Sequence, residues 1–445
     1  MLSGERTSSM LPEGTGLCSS GEPEGNTLAV CRPHPISVHH FDNSEGRTMQ
    51  RFFKVSRRTP IVSVFAATIF AMICLAPSAN AQEAQRSKTP QSTPGVLRAT
   101  EVASGLEHPW GMAFLPDGRI LVTELPGRLR IVQKDGKLSA PLGGVPTVVA
   151  RGQGGLLDVV IDPKFSENQY VYISYSEPGD GGTAGTAVAR AKLGANALED
   201  VKVIFRQSPK VQGNGHFGSR IIFGQDGTMF IGLGERMAKQ HRGQSQNLAS
   251  GLGKVVHINS DGSPAKRNPF AGRKDAQPEI WSYGHRNIQA AAMHPETGDL
   301  WVIEHGPLGG DELNRAQAGK NYGWPVITYG REYSGEKVNE GKTAQAGMEQ
   351  PTFYWDPVIA PSGMIFYTGE AFPEWKNHIF VGSLKPGGLV RLELRDGRVV
   401  NEERYLGDLG RVREVEQGPD GLIYLLTDYS NGRLLRVERA NRTSK

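Results

Sequence analysis

Pro116-Asp117-Gly118 followed by Arg119-Ile120-Leu121-Val122 is a tight turn running into a short apolar strand. Asp and Gly supply the backbone freedom that a turn needs, and branched apolar residues suit a pleated, buried strand. The same unit recurs along the chain. Asn168 precedes Tyr170-Val171-Tyr172-Ile173, and Asp226-Gly227 precedes Thr228-Met229-Phe230-Ile231. Thr297-Gly298 precedes Asp299-Leu300-Trp301-Val302-Ile303, and Asn377 precedes His378-Ile379-Phe380-Val381. The last copy is Asp420-Gly421 before Leu422-Ile423-Tyr424-Leu425.

Six copies of a turn-plus-strand unit, mostly roughly 50 to 70 residues apart, are the pattern of a repeat architecture. No window carries a long helical period. A β-sandwich can share the turn chemistry but does not call for six such units over so long a chain. The expectation is therefore an all-β fold, a six-bladed β-propeller with four-stranded antiparallel blades over residues 98–440. Polar loop residues from different blades then converge at the mouth of a central channel.

The segments before the repeats read differently. Arg51, Lys54, Arg57 and Arg58 precede an apolar stretch from Ile61 to Ala76, and Ala79-Asn80-Ala81 has the small-x-small form of a cleavage site. Residues 49–81 are expected to be a signal peptide cut after Ala81, with Sec export favoured over the twin-arginine route. Residues 1–48, rich in Gly, Ser and Pro, fit an over-extended start. Residues 82–97 are polar and Pro-containing and are expected to form a flexible leader. The expected location is periplasmic or secreted, with no stable membrane insertion after signal removal. Cys18, Cys31 and Cys74 all precede the expected cut, so the mature chain would rely on its core and not on disulfides.

Composition narrows the function. A formal charge of +4 on 445 residues, with no basic run interleaved with aromatics, gives no footprint for nucleic acid. No Gly-x-Gly-x-x-Gly or Walker loop joins a strand to a helix, and no Gly-x-Ser-x-Gly elbow occurs.

Four stretches carry side chains able to do chemistry. Gly152-Gln153-Gly154-Gly155-Leu156-Leu157 is a Gly-flanked loop that by itself reads as a turn between blades. Gly213-Asn214-Gly215-His216-Phe217-Gly218 sets one histidine among small residues, where it is either structural or a general base. From Trp281 to Pro325 come His285-Arg286-Asn287, Glu304-His305-Gly306-Pro307, Gly310-Asp311-Glu312 and Asn321-Tyr322-Gly323-Trp324-Pro325. Carboxylates and turn carbonyls of this kind suit calcium, although a long hydrogen-bonded turn has the same composition. Lys385, Arg411 and Arg413 are cationic, and the two arginines share a face if they lie on a strand.

Taken in register from about Leu106 to Arg436, these motifs resemble the soluble pyrroloquinoline-quinone-dependent sugar dehydrogenases, the aldose sugar dehydrogenase branch in particular. The resemblance implies an oxidoreductase that converts the anomeric carbon of an aldose sugar to a lactone and passes electrons to a soluble acceptor. It implies His216 as the base and Arg286 as its catalytic companion. It places pyrroloquinoline quinone on Gln153, Arg286, Asn287, Lys385, Arg411 and Arg413. It implies calcium at the carbonyls of Gly306 and Pro307, and a second calcium at Glu312 and Tyr322. A monomer or homodimer is expected. In glucose-specific members an acidic residue precedes the histidine; here Gly215 does, so a carboxylate partner for His216 has to come from elsewhere or be absent. The contrasting expectations are a calcium-dependent propeller lactonase, with side-chain carboxylates on the metal, and a non-catalytic binding propeller.

Overall fold

The computed structural model describes residues 83–88 and 90–440. The extension expected at 1–48 and the signal expected at 49–81 lie outside the described residues. Six sheets each begin with an inner strand: Pro109–Phe114, Leu156–Ile161, Gly218–Phe223, Ile288–Met293, Pro361–Phe366 and Val412–Gln417. Each inner strand packs on the next, and the sixth packs on the first, so the ring closes. This is the six-bladed β-propeller expected from the repeats.

The six apolar runs read from the sequence are the second strands of the six blades, Ile120–Glu124, Tyr170–Pro178, Met229–Leu233, Leu300–Glu304, Ile379–Ser383 and Ile423–Thr427. They are buried almost without interruption. A second strand has a neighbouring blade on each face, so neither face is solvated and the residues do not alternate. Leu121 and Ile131 of the first blade thus share a core with Val159, Ile173 and Ala189 of the second.

Five blades contain four antiparallel strands; in the first, three regular strands are followed by an irregular run. There Ser139 N–H donates to the Ile131 carbonyl and Leu142 N–H to the Leu129 carbonyl, so residues 139–142 take the outer place. The sixth blade is built from both ends of the repeat region. Its outer strand is Leu97–Leu106, antiparallel to Gly432–Arg439, with Leu97 opposite Arg439 and Leu106 opposite Gly432.

The leader departs from expectation. Gln85–Arg86 pairs in parallel with Phe353–Tyr354 on the edge of the fourth blade, and Gln91–Ser92 with Glu403–Arg404 on the edge of the fifth. Arg86 Nη2 reaches Asp356 Oδ2 at 3.0 Å. Exposed sheet edges offer unpaired N–H and C=O groups, and a polar segment can satisfy them without an apolar pattern of its own. Composition alone therefore misreads this segment as free.

Candidate functional site

Every inner strand starts at the same end of the channel, and a cavity of about 630 Å³ opens there. Trp110, Leu157, Gly218, Gln289, Ala360 and Arg413 line it, one from or next to the start of each inner strand. Gln153, Phe217, His305, Leu384, Arg411 and Asp428 complete much of the wall. Gln153, Arg411 and Arg413 of the expected cofactor set thus face this space directly. Lys385 follows the lining residue Leu384 and is exposed at the rim.

His216 lies just behind the wall and is buried. The Gln153 side chain accepts its backbone N–H at 2.7 Å. Its Nδ1 lies 2.9 Å from Glu235 Oε1, and among the described residues its Nε2 meets no hydrogen-bonding side chain. The carboxylate partner missing at Gly215 is therefore Glu235. Burial, then the charges of Arg286, Arg236 and Arg242, holds the imidazole well below its ordinary value. Burial lifts the Glu235 carboxyl to about 7 despite the same guanidiniums.

Arg286 is buried, with Nη1 donating to the carbonyls of His305 at 3.0 Å and Gly306 at 2.6 Å. Its Cζ lies 5.2 Å from the centre of the Trp324 ring. Asn287 Oδ1 accepts the Gly218 N–H, tying the end of the His216 loop to the fourth blade. Arg286 Nε and Asn287 Nδ2 are buried donors without a partner. Neither residue is among those lining the cavity, so both donors stand behind its wall.

Arg411 and Arg413 do share a face, at the start of the sixth inner strand and not on an outer edge. Both converge on Asp428 Oδ2, at 2.5 and 3.0 Å. Asp428 also meets His108 Nδ1 at 3.0 Å. Burial would raise the Asp428 carboxyl, but Arg413, His108 and Arg411 outweigh it and hold it well below the usual carboxylate range. The cationic grip is thus preorganised on an acid that the sequence reading did not include.

One layer further along the inner strands, charged side chains from three blades pair with one another. Arg220 Nη1 lies 3.0 Å from Asp158 Oδ1 and 2.5 Å from Glu414 Oε2, all three buried. Burial leads in raising the Asp158 carboxyl, and it lifts that of Glu414 to about 7.

The expected calcium positions divide into two places. Gly306 sits in a turn whose N–H donates to Asp311 Oδ1 at 2.8 Å, while Asp311 Oδ2 takes the N–H groups of Ile359 and Ala360. The Gly306 carbonyl already accepts Arg286, so a cation there would share that oxygen and use Pro307 as well. Glu312 is elsewhere, joined to Glu304 through Asn314 Nδ2, which reaches both carboxylates at 3.2 Å. Burial and the charges of Glu304 and Asp311 lift Glu312 well above the carboxylate range, and a cation would relieve that cost. The Tyr322 hydroxyl is not free to ligate: it donates to the Arg315 carbonyl and accepts the Gln317 N–H. Among the described residues no group of three or more His, Cys, Asp or Glu could hold a metal.

The stretch from Trp281 to Pro325 is not one long turn. It holds the end of Ile280–Tyr283 and the strands Ile288–Met293, Leu300–Glu304 and Asp311–Arg315. In the loop after it, Glu332 Oε2 accepts from Arg242 Nη2 at 3.1 Å.

Glu235, His305, Lys385 and Asp428 occupy one recurring place, one or two residues past the second strand of a blade. That signal was in the sequence. Each apolar repeat ends at the mouth, so the polar residue following it is a site candidate.

A family model described as glucose/sorbosone dehydrogenase matches residues 106–436. An Escherichia coli (strain K12) protein named aldose sugar dehydrogenase YliI is 45% identical over 355 residues, 79% of this chain and 95% of its own. A solved glucose dehydrogenase has 48% identity and a TM-score of 0.74, covering 76% of this chain and 99% of its own. The PQQ-bound aldose sugar dehydrogenase of Streptomyces coelicolor has 28% identity and a TM-score of 0.64, over 79% and 99% of the two chains.

Proposed function

The chain belongs to the glucose/sorbosone dehydrogenase family, and from that premise we propose that it oxidises the anomeric carbon of aldose sugars, with pyrroloquinoline quinone in the 630 Å³ cavity and calcium beside it. The observation that carries the reading is the His216–Glu235 pair set behind a cavity floored by two arginines.

The residues suit an anionic planar cofactor. Arg413 and Arg411 supply cationic donors for carboxylates beyond those they give Asp428, with Lys385 at the rim and Trp110 and Phe217 in the wall. Arg286 and Asn287 stand behind this wall and act on it through the His305, Gly306 and Gly218 backbone. Bound there, the quinone supplies the hydride acceptor and calcium adds positive charge where negative charge develops.

With Glu235 ionised, Nδ1–H donates to it and the Nε2 lone pair is left for the substrate. Nε2 then takes the proton of the sugar's anomeric hydroxyl as the carbon loses hydride. Glu235 steadies the imidazolium that results. Arg286, fixed by the His305 and Gly306 carbonyls, supports charge building at the acceptor oxygen. The oxidised sugar is the lactone, and a soluble acceptor takes the electrons afterwards. Among the described residues no helix is long and apolar enough to cross a membrane. Export through a signal at 49–81, and a propeller unit at 98–440, remain part of the proposal.

The test is reconstitution of residues 82–445 with quinone and calcium, followed by dye reduction with glucose and other aldoses. Turnover that needs all three components, and drops on the order of 10²- to 10⁴-fold in His216→Ala, supports the reading. Sugar-lactone hydrolysis without quinone would replace it with the hydrolase.

A further inference from the structure

His216 has a left-handed backbone, φ 50°, between Gly213 at φ 135° and Gly218 at φ 63°. A residue with a Cβ adopts that conformation uncommonly, histidine more readily than most, and here the surrounding contacts hold it. Gln153 holds one side of the loop, taking the His216 N–H on its side chain and giving its own N–H to the Asn214 carbonyl at 2.7 Å.

The other side is held by Glu235-Arg236-Met237. Glu235 meets the imidazole. Arg236 is fully buried and aims both ends of its guanidinium at the loop: Nη2 donates to the Gly213 carbonyl at 2.7 Å, and Nη1 to the Gly215 carbonyl. Its Cζ lies 3.4 Å from the centre of the Phe217 ring, and its backbone N–H donates to the His216 carbonyl at 3.2 Å. A Cβ on Gly215 would fall 2.7 Å from Met237 Sδ, so the thioether covers that glycine. Arg236 and Met237 are themselves left-handed, φ 72° and 66°.

Two features separate Arg236 from an ordinary core residue. Its guanidinium donates to carbonyls of the His216 loop and, among the described residues, to no carboxylate, an expensive way to bury a charge. Those carbonyls flank His216 at one and three residues before it, so their positions set the direction of the imidazole.

We propose that Arg236 is a positioning residue for this reaction: its guanidinium staples the Gly213 and Gly215 carbonyls and so fixes the left-handed His216 with Nδ1 on Glu235 and Nε2 turned to the substrate. This rests on the reading of His216 as the base. The charged and titratable groups facing that imidazole are Glu235, Arg236, Arg242, Arg286 and His305. Arg236 is the one of them that also holds the loop's backbone.

The experiment uses quinone- and calcium-loaded Arg236→Met and Arg236→Lys, with His216→Ala in parallel. Methionine keeps the stem over Phe217 but reaches neither carbonyl; lysine keeps the charge and reaches one. The expected result is a kcat about 100-fold lower in Arg236→Met, with KM and quinone affinity within about threefold and Arg236→Lys intermediate. In the quinone-free proteins, the imidazole N–H signal that His216→Ala removes is expected to shift or vanish in Arg236→Met. Unchanged kcat and an unchanged signal would overturn the proposal, as would equal losses of kcat and quinone affinity. Should Arg236→Met not fold, Arg236→Lys decides: full kcat with lysine refutes the two-carbonyl staple. An active His216→Ala would instead dismiss the base, while the imidazole signal still reports on the staple.

Discussion

Arg220 and Arg413 stand on one ring: the Cζ atoms lie 4.6 and 5.9 Å from the centre of Trp110. Arg413 lines the cavity, and Arg220 belongs to the buried cluster with Asp158 and Glu414. Gln289 makes a second link, with Oε1 accepting Arg413 and its carbonyl accepting Arg220. The proposed cofactor grip therefore rests on this cluster through one indole and one amide.

Replacing Arg220 with Met strands the carboxylates of Asp158 and Glu414 in a buried place. A loss of about 3–5 kcal/mol is expected at pH 8, since removing one partner leaves uncompensated charge. Both carboxyls already have raised values in the folded protein, foremost through burial. Without Arg220 they rise further, so the penalty grows above the unfolded carboxylate range and fades as pH falls and both protonate. Thermal unfolding at pH 8 and pH 5 measures this; a gap between wild type and variant that widens at pH 5 would contradict it.

The proposed base, His216, is competent when Glu235 is ionised, and burial lifts that carboxyl to about 7. The loaded enzyme is expected to gain kcat/KM as pH rises through about 7, on a limb that belongs to the coupled pair. Glu235→Gln should lower kcat at least about tenfold and erase the limb, because no ionisation then selects the productive tautomer. A pH profile of kcat/KM for both proteins checks it, and a limb that survives in Glu235→Gln would assign it elsewhere.

The two arginines of the grip differ in burial: the side chain of Arg413 is 13% exposed and that of Arg411 44%. Arg413→Met should weaken quinone binding by about 2–5 kcal/mol, as for loss of a desolvated, hydrogen-bonded charge. Arg411→Met should weaken it by less than about 1 kcal/mol. Fluorescence titration of the calcium-loaded variants with quinone gives both numbers, and equal effects would show that burial does not rank them.

Deleting residues 82–95 removes the Arg86–Asp356 pair and backbone bonds to Tyr354 and Arg404. Several such bonds, at about 1 kcal/mol each before the ordering cost of the leader, suggest a melting point lowered by roughly 2–6 °C. The leader lies away from the cavity, so kcat is expected to hold. Calorimetry and steady-state rates on the truncated protein test both statements.

The repeats were legible because each second strand is buried on both faces and so writes an unbroken apolar run. The site was legible where glycines flank a functional side chain, as at Gln153 and His216. Glu235 and Asp428 were not singled out, because an isolated acid after a strand resembles any surface turn until the blade curls it inward. The leader was misread for the converse reason: it binds through backbone edges, which leave no mark on side-chain pattern. At Tyr322 the phenol bonds its own loop, a detail that no motif spacing encodes.

The sixth blade joins Leu97–Leu106 to Gly432–Arg439. Since synthesis runs from the first residue, the earlier of these strands emerges long before its partner exists. Five blades can collapse pairwise as they appear, but the circle stays open until the final turns arrive. Completion of the molecule is consequently a single late event, and the grip of Arg411, Arg413 and Asp428 is built only then. A chain halted short of its last strands carries His216 but has no finished place for the proposed cofactor, so under that reading catalytic competence doubles as a proof of full-length folding.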